Sequence, residues 1–365
     1  MLAVVRIGWS ESEQSRRMDA ILASALDGVP HESYSTMHGL LSFLDTYKLG
    51  ERAILFAVAL PLWGVTASYA RFLRFLVQND HCFEGCWGGV MIDGPDEFFT
   101  KKVGREMVSM ANRAGCSFPG KPLVEATGSL YNFNTQAMVQ GIHPFEAYEK
   151  SAHRLILKIT DKMLQKKSSL PQGKKPYIVA LHASSRKTSN TLLLWEMVRQ
   201  SIGDRAQVNE ISLRNGSVID CRGCSYEACL HFGEKGDCFY GGVMVDEVYP
   251  AVRQCDALVL ICPNYNDAVS ANITAFINRL TALFRKEGEA FADKKVYGLI
   301  VSGYSGGDIV AEQIIDAMNC NKNFILPGRF ALVETANAPK SILRCNQIHE
   351  RAAAFADHIV GQDGL

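Results

Sequence analysis

Residues 255–280 read CDALVLICPNYNDAVSANITAFINRL. Ala257–Cys262 is a short unbroken apolar run, which suits a strand covered on both faces of a parallel sheet. Pro263-Asn264-Tyr265-Asn266 ends the run. Ile273, Phe276, Ile277, Leu280, Leu283 and Phe284 then recur at helical spacing and give one helix face an apolar stripe. Strand, loop and helix in this order are part of a right-handed βαβ unit. Similar runs at Tyr177–Leu181 and Val296–Val301 predict further strands. Their alternation with amphipathic stretches predicts an α/β doubly wound parallel sheet.

The same plan occurs earlier in the chain. ALPLWGVTASYARFLRFL (59–76) parallels CPNYNDAVSANITAFINRL (262–280), with Pro61 against Pro263. GGVMIDG (88–94) parallels YGLIVSG (297–303), and FPGKPLVEAT (118–127) parallels LPGRFALVET (326–335). The offset drifts from 174 residues at the first strand to 202 at Pro61/Pro263 and 208 at Pro119/Pro327. Ordered matches with a drifting offset predict a pseudo-duplication with loop insertions. The polar segment KKSSLPQGKKP (166–176) is the expected linker between a domain at 1–165 and another at 177–365. About 28 residues between the first and third strands of the second half have no counterpart in the first.

Bulk composition narrows the function classes. Of 365 residues, 47% are hydrophobic and 21% charged, a globular balance. Lys plus Arg equals Asp plus Glu, 38 against 38, which gives no electrostatic footprint for nucleic acid or an anionic membrane. No apolar run has the length to span a bilayer. The start, MLAVVRIGWSESE, reads as a strand and turn and lacks the pattern of a signal peptide. Eleven cysteines in that context point to a reducing compartment, so the expected location is cytoplasmic.

The first strand of the second half runs into HASSRKTSNT (182–191) and then a helix. Backbone N–H groups at such a turn, a helix N-terminus and small hydroxyls can wrap a terminal phosphate, with Arg186 and Lys187 at the rim. A plain helix cap in a solvated loop is the alternative. Two more loops fall at the same carboxyl edge, where open α/β sheets bind ligands. They are Pro263–Asn266 and Ser302–Gly307. Tyr265 and Tyr304 suit packing on a flat ring, and the glycines allow close backbone approach. In the first half the matching loop is GWSESEQSRR (8–17), where Glu11 and Glu13 would repel a phosphate. Its Trp63 takes the place of Tyr265.

The inserted segment contains DCRGCSYEACLHFGEKGDC, with Cys221, Cys224, Cys229 and Cys238 spaced C-x2-C-x4-C-x8-C. Four thiolates in one loop can ligate a [4Fe–4S] cluster or zinc, and reduced free thiols are the alternative. Cys255 and Cys262 flank a strand and read as core residues.

Taken together, these pieces make the second half resemble the NADPH-dependent FMN reductase and iron–sulfur flavoprotein group of the flavodoxin-like superfamily. The resemblance rests on SSRKTSNT, the cysteine loop, CDALVLICPNYNDAVSANITAFINR and SGYSGG, in family order over roughly residues 177–320. It implies two tandem flavodoxin-like domains, the first degenerate and without flavin, the second holding one FMN. By resemblance, Ser184, Arg186, Ser189, Asn190 and Thr191 hold the FMN phosphate. Pro263, Asn264, Tyr265 and Asn266 line the isoalloxazine, with Ser302, Gly303, Tyr304 and Gly307 on the facing loop. It also puts a cluster on Cys221, Cys224, Cys229 and Cys238, although the second and last gaps are wider than the family's. His182 departs from the family as well, which more often has a small residue there.

The implied activity is that of an FMN-dependent oxidoreductase. It would take electrons from NAD(P)H or a reduced carrier and pass them to a small-molecule or protein acceptor. The flavin carries the chemistry, so the lack of a Ser–His–Asp set, an HExxH motif or a Walker loop is compatible, and no catalytic side chain is assigned. Two alternatives remain: a non-enzymatic iron–sulfur flavoprotein electron carrier, and a flavin-free binding module. The related reductases are commonly dimers, so the first half is expected to stand in for a partner subunit, with further homo-oligomerisation open.

Overall fold

The computed structural model describes every residue except 10, 11, 13, 49, 63, 166–174, 185–187, 215–217 and 362–365. The chain divides into two compact units, Met1–Ser168 with Pro327–Arg329, and Ser169–Leu326 with Phe330–Leu365. The expected linker, 166–176, lies outside the described residues apart from Lys175 and Pro176.

In the N-terminal unit the elements run β1 (Leu2–Ile7), α1 (Ser15–Ala25), β2 (His31–Tyr34), α2 (Met37–Thr46), β3 (Ala53–Ala59) and α3 (Ala67–Gln78). Then come β4 (Trp87–Asp93), α4 (Thr100–Arg113), β5 (Leu123–Ala126), α5 (Asn134–Gln140) and α6 (Pro144–Leu164). The five strands are parallel in the order β2-β1-β3-β4-β5. The central strand, AILFAVA, is buried at every position, as both-face cover requires. The edge strand, HESY, is polar and partly exposed. Thr66 caps α3 by accepting from the Tyr69 amide, and Tyr69, Phe72 and Leu76 face the core at helical spacing.

The C-terminal unit repeats the plan. Its elements are β6 (Tyr177–His182), α7 (Asn190–Ile202), β7 (Gln207–Ser212), α8 (Tyr226–Glu234), α9 (Tyr249–Gln254) and β8 (Ala257–Pro263). They continue with α10 (Ala271–Glu287), β9 (Lys295–Ser302), α11 (Gly307–Ile314), β10 (Ala331–Thr335) and α12 (Ile348–Val360). Again five parallel strands form one sheet, ordered β7-β6-β8-β9-β10. β8 is buried from Ala257 to Cys262, and Ile273, Phe276, Leu280 and Leu283 of α10 are buried against the sheet side. Ile277 and Phe284 lie at the stripe's margin, half-buried. Burying a ring such as Phe276 contributes on the order of 1.5–3 kcal/mol.

Each sheet therefore reverses direction between its first and third strands, β1/β3 and β6/β8. Both are the doubly wound sheets that the apolar runs predict. At such a switch point the loops after the two strands diverge to opposite faces and leave a crevice at their carboxyl ends.

Candidate functional site

Three loops meet the carboxyl edge of the C-terminal sheet. After β6, Ser184 is half-buried and Ser189 caps α7, accepting from the Leu192 amide at 3.4 Å. The first-turn N–H groups of a helix have no intrahelical acceptor, so this end of α7 carries positive potential. Thr191 is buried in that turn. Asn190 is committed elsewhere. Its Nδ2 donates to the carbonyls of Ala336 and Ala338, both at 2.9 Å, and so ties α7 to the segment after β10. Arg186 lies outside the described residues.

The other two loops are locked to each other. After β8, Asn264 Nδ2 donates to Ser302 Oγ (3.0 Å), the Ser305 carbonyl (2.9 Å) and Asp267 Oδ1 (3.2 Å). Asn264 Oδ1 accepts from the Asp267 amide at 2.8 Å. Asn266 and Asp267 turn the loop with φ of 54° and 56°, the left-handed pair that a tight primed turn demands. α11 braces this turn, since Gln313 Nε2 donates to the Asp267 carbonyl and Gln313 Oε1 accepts from the Val269 amide. Gly306 is forced by geometry. Its φ is 83°, and a Cβ there would run into Asp267 Oδ1. At Gly307 a Cβ would meet Val333 Cγ1 at 2.6 Å.

Pro263 and Gly303 are half-buried and Ser302 is buried, whereas the two tyrosines stand out of the surface. Tyr265 is 58% and Tyr304 79% exposed. Tyr304 is held by Asn337, whose Nδ2 donates to its hydroxyl at 2.6 Å. Thus the structure brings Asn264, Ser302, Tyr304 and Gly306 into one braced unit, and spends the asparagine amide on bracing.

Among the described residues, two buried polar atoms at this edge have no hydrogen-bond partner, His182 Nδ1 at the end of β6 and Ser270 Oγ at the N-cap of α10. A buried polar group without a partner marks a place where something else completes the bonding. The donor set at the edge is hydroxyls, amides and a helix N-terminus, with tyrosine rings beside it. That chemistry fits a phosphate joined to a flat ring, as FMN is.

The cysteine segment answers differently. Cys221 is exposed, and Cys224, Cys229 and Cys238 are half-buried. Cys221 and Cys224 lie ahead of α8, Cys229 is within it and Cys238 follows it. Among the described residues no three His, Cys, Asp or Glu side chains are grouped to hold a metal ion. The expected ligand set at Cys221, Cys224, Cys229 and Cys238 is therefore not assembled in this arrangement. The reason is local: the segment is bound by protein side chains. Arg279 of α10 is almost fully buried and donates to the carbonyls of Ile219 (3.2 Å) and Gly241 (2.7 Å), bracketing both ends. Arg253 Nη2 donates to the Gly236 carbonyl, and His231 is paired with Lys235. Cys255 and Cys262 are buried core thiols, and burial pushes both up to about 12.

At the corresponding edge of the N-terminal unit the crevice is occupied from within. Arg17 of α1 donates through Nε to both oxygens of Asp93, at 3.1 and 3.0 Å. Its other nitrogens donate to the carbonyls of Thr127 (2.9 Å), Gly128 (3.1 Å) and Gly94 (3.2 Å). Asp93 is fully buried and also accepts from the Tyr148 hydroxyl at 3.3 Å. Burial outweighs the Arg17 charge and holds the Asp93 carboxyl above its ordinary range. Glu11, Glu13 and Trp63 lie outside the described residues. Sequence reasoning missed this ion pair, as it missed Ser270, Arg279 and the brace made by Asn264. One signal was present: Asp93 aligns with Ser302 in the parallel segments GGVMIDG and YGLIVSG, a charge inside an apolar run.

The strand order of both sheets, with its switch after the first strand, defines two flavodoxin-like α/β domains. Residues 176–338 match the model of the NADPH-dependent FMN reductase family. The chain is 26% identical over 143 residues to the "Iron-sulfur flavoprotein" of Archaeoglobus fulgidus, spanning 38% of this chain and 69% of that protein. Among solved structures it is similar to the Trp repressor binding protein from Bacillus subtilis (19% identity, 49% of this chain and 96% of that one, TM-score 0.34). It is also similar to the NAD(P)H:quinone oxidoreductase from Methanothermobacter marburgensis (14% identity, 51% and 96%, TM-score 0.39). No helix among the described residues is long and apolar enough to cross a membrane.

Proposed function

We propose that the C-terminal unit binds one FMN at the carboxyl edge of its sheet and works as a cytoplasmic oxidoreductase. Electrons would come from NAD(P)H or a reduced carrier and leave to a small-molecule or protein acceptor. The observation that carries this is the edge itself, where braced loops present two exposed tyrosines and where, among the described residues, His182 Nδ1 and Ser270 Oγ are buried without a partner. Bound FMN supplies hydride and single-electron chemistry through its ring, which no side chain of the chain can replace. The residues do the holding. Ser184, Ser189 and the first turn of α7 take the phosphate, with Arg186 from the same loop. Tyr265 and Tyr304 flank the ring, and Asn264 fixes the distance between their loops through Ser302 and Ser305. Asn266, Ser302, Gly303 and Gly307 let the backbone come close.

The test is direct. Purified full-length chain should carry about one FMN, the one phosphate loop allowing one flavin, and stopped-flow mixing with NADPH or NADH should bleach it. Two flavins per chain, or bound FAD, would overturn the reading. A second reading, an electron carrier without turnover of its own, is favoured by the exposure of Tyr265 and Tyr304, which leaves the ring edge open to a docking protein. It predicts reduction by reduced ferredoxin and none by either nicotinamide. Iron and zinc measured on anaerobically prepared protein decide whether Cys221, Cys224, Cys229 and Cys238 hold a metal centre in either case.

A further inference from the structure

We propose that His182 is a positioning residue for the flavin phosphate, acting with Glu210 as an imidazole–carboxylate pair at the end of β6. The proposal rests on the FMN reading above. His182 is the last residue of β6, beside the switch point, and is 6% exposed. Ala183 and Ser184 follow it directly. Its Nε2 lies 3.2 Å from Glu210 Oε1 on the neighbouring strand β7. Glu210 Oε2 accepts from Trp195 Nε1 of α7 at 2.9 Å, with Arg199 Nη1 of the same helix 3.9 Å away. The carboxylate that orients the ring is thus pinned to the helix whose N-terminus faces the loop.

The other ring nitrogen, Nδ1, is buried and without a partner among the described residues. That atom belongs to the residue that ends β6, two positions ahead of Ser184. With a proton on each nitrogen, the ring donates to the carboxylate on one side and has one N–H left for an anion on the other. The bond to His182 is also the chief cause holding the Glu210 carboxyl below its usual range, so the pair behaves as an electrostatic unit. Among its described residues the N-terminal unit has nothing of the kind. Its β1 ends in the buried aliphatic Ile7, and its edge is closed by Arg17. Among the described residues, a buried, half-bonded histidine occurs only in the unit with the hydroxyl-rich loop.

The experiment compares FMN with riboflavin, which has the same ring and no phosphate, on flavin-stripped full-length chain. His182→Gln keeps a nitrogen for Glu210 and deletes the one at Nδ1. It should weaken FMN roughly tenfold or more, the scale of one hydrogen bond to a charged group, and leave riboflavin unchanged. Glu210→Gln should weaken FMN by a smaller factor, again without touching riboflavin. Because Glu210 is partly exposed, this second variant serves if the first does not fold. Unchanged FMN binding in the variants, or equal loss of both flavins, overturns the proposal and leaves the FMN reading standing. Wild-type chain that binds neither flavin sinks the FMN reading and this proposal with it.

Discussion

The two units share one strand order and differ at one edge. In the N-terminal unit the carboxyl ends of β4 and β5 are closed by a buried ion pair, with Arg17 bonded to Asp93 and three carbonyls. In the C-terminal unit the matching strand ends carry Ser302 and Thr335, and the bridging is done by neutral amides, Asn264 and Asn190. An arginine reaching across the crevice fills it and consumes its own charge. An asparagine ties neighbouring loops with a neutral amide, and Tyr265 and Tyr304 of those loops stay exposed. Two sheets of one strand order can therefore share a core and differ in the side chains that tie their carboxyl edges.

The largest effect expected from this contrast is on stability. Removing one partner of a buried pair leaves the other charge without compensation, which costs about 3–5 kcal/mol. Arg17→Ala should therefore lower the unfolding free energy of the N-terminal unit by about that amount, because Asp93 is fully buried. Denaturant melts read with and without FMN should show the loss in the unit that FMN does not stabilise. FMN per chain should stay at about one, since one phosphate loop remains. A second FMN bound by Arg17→Ala would mean that the arginine alone had been excluding it.

Gly306 sharpens the comparison from the other side, since it lets the two ring loops meet. With φ at 83° and Asp267 packed against its α-carbon, Gly306→Ala faces both backbone strain and a clash. A cost of about 1–3 kcal/mol is expected, taken mostly from the Asn264 brace and so from flavin affinity. Isothermal titration with FMN should show weaker binding, while the N-terminal unit melts as before. An unchanged dissociation constant would separate the brace from the flavin site.

The fold was legible for a simple reason. β3 and β8 are buried on both faces, so they read as unbroken apolar runs, and the helices between them carry clear stripes. The loops of the site were legible too, because hydroxyls, glycines and tyrosines stand out at strand ends. What those side chains do was not. Asn264 and Asn190 looked like ligand contacts and prove to be braces, because their acceptors, Ser302 and Ala336, lie 38 and 146 residues away. Arg17 drew no reading of its own from the sequence, because its partner is 76 residues on. Spacing in a sequence reports neighbours along a helix or strand and is silent about bonds across a sheet edge. The cysteine spacing is silent in a related way: it measures distance along the chain, while Arg279 and Arg253 bond to the carbonyls that fix how the segment lies.

The smallest effect is one of acid response, and its sign should differ between the units. Glu210 is held below its ordinary value, chiefly by His182. The stability it contributes is fully present above the unfolded carboxyl range and is lost as pH falls through its depressed folded value. Asp93 is shifted the other way, chiefly by burial. Its contribution is fully present below the ordinary aspartate range and is lost as pH rises through the raised folded value. Mild acid therefore favours the Asp93 site and weakens the Glu210 site. Glu210 is partly exposed, so solvent screening keeps its share below about 1 kcal/mol. Trp195 gives a local probe, because its indole donates to Glu210 and the other three tryptophans, Trp9, Trp63 and Trp87, fall in the N-terminal half. With those three changed to Phe, Trp195 emission should shift as pH drops below the usual glutamate range. Glu210→Gln should abolish the shift, since no carboxylate remains to take the proton. A shift that survives the substitution would assign the acid response to another group and break the link between Glu210 and the α7 end of the site.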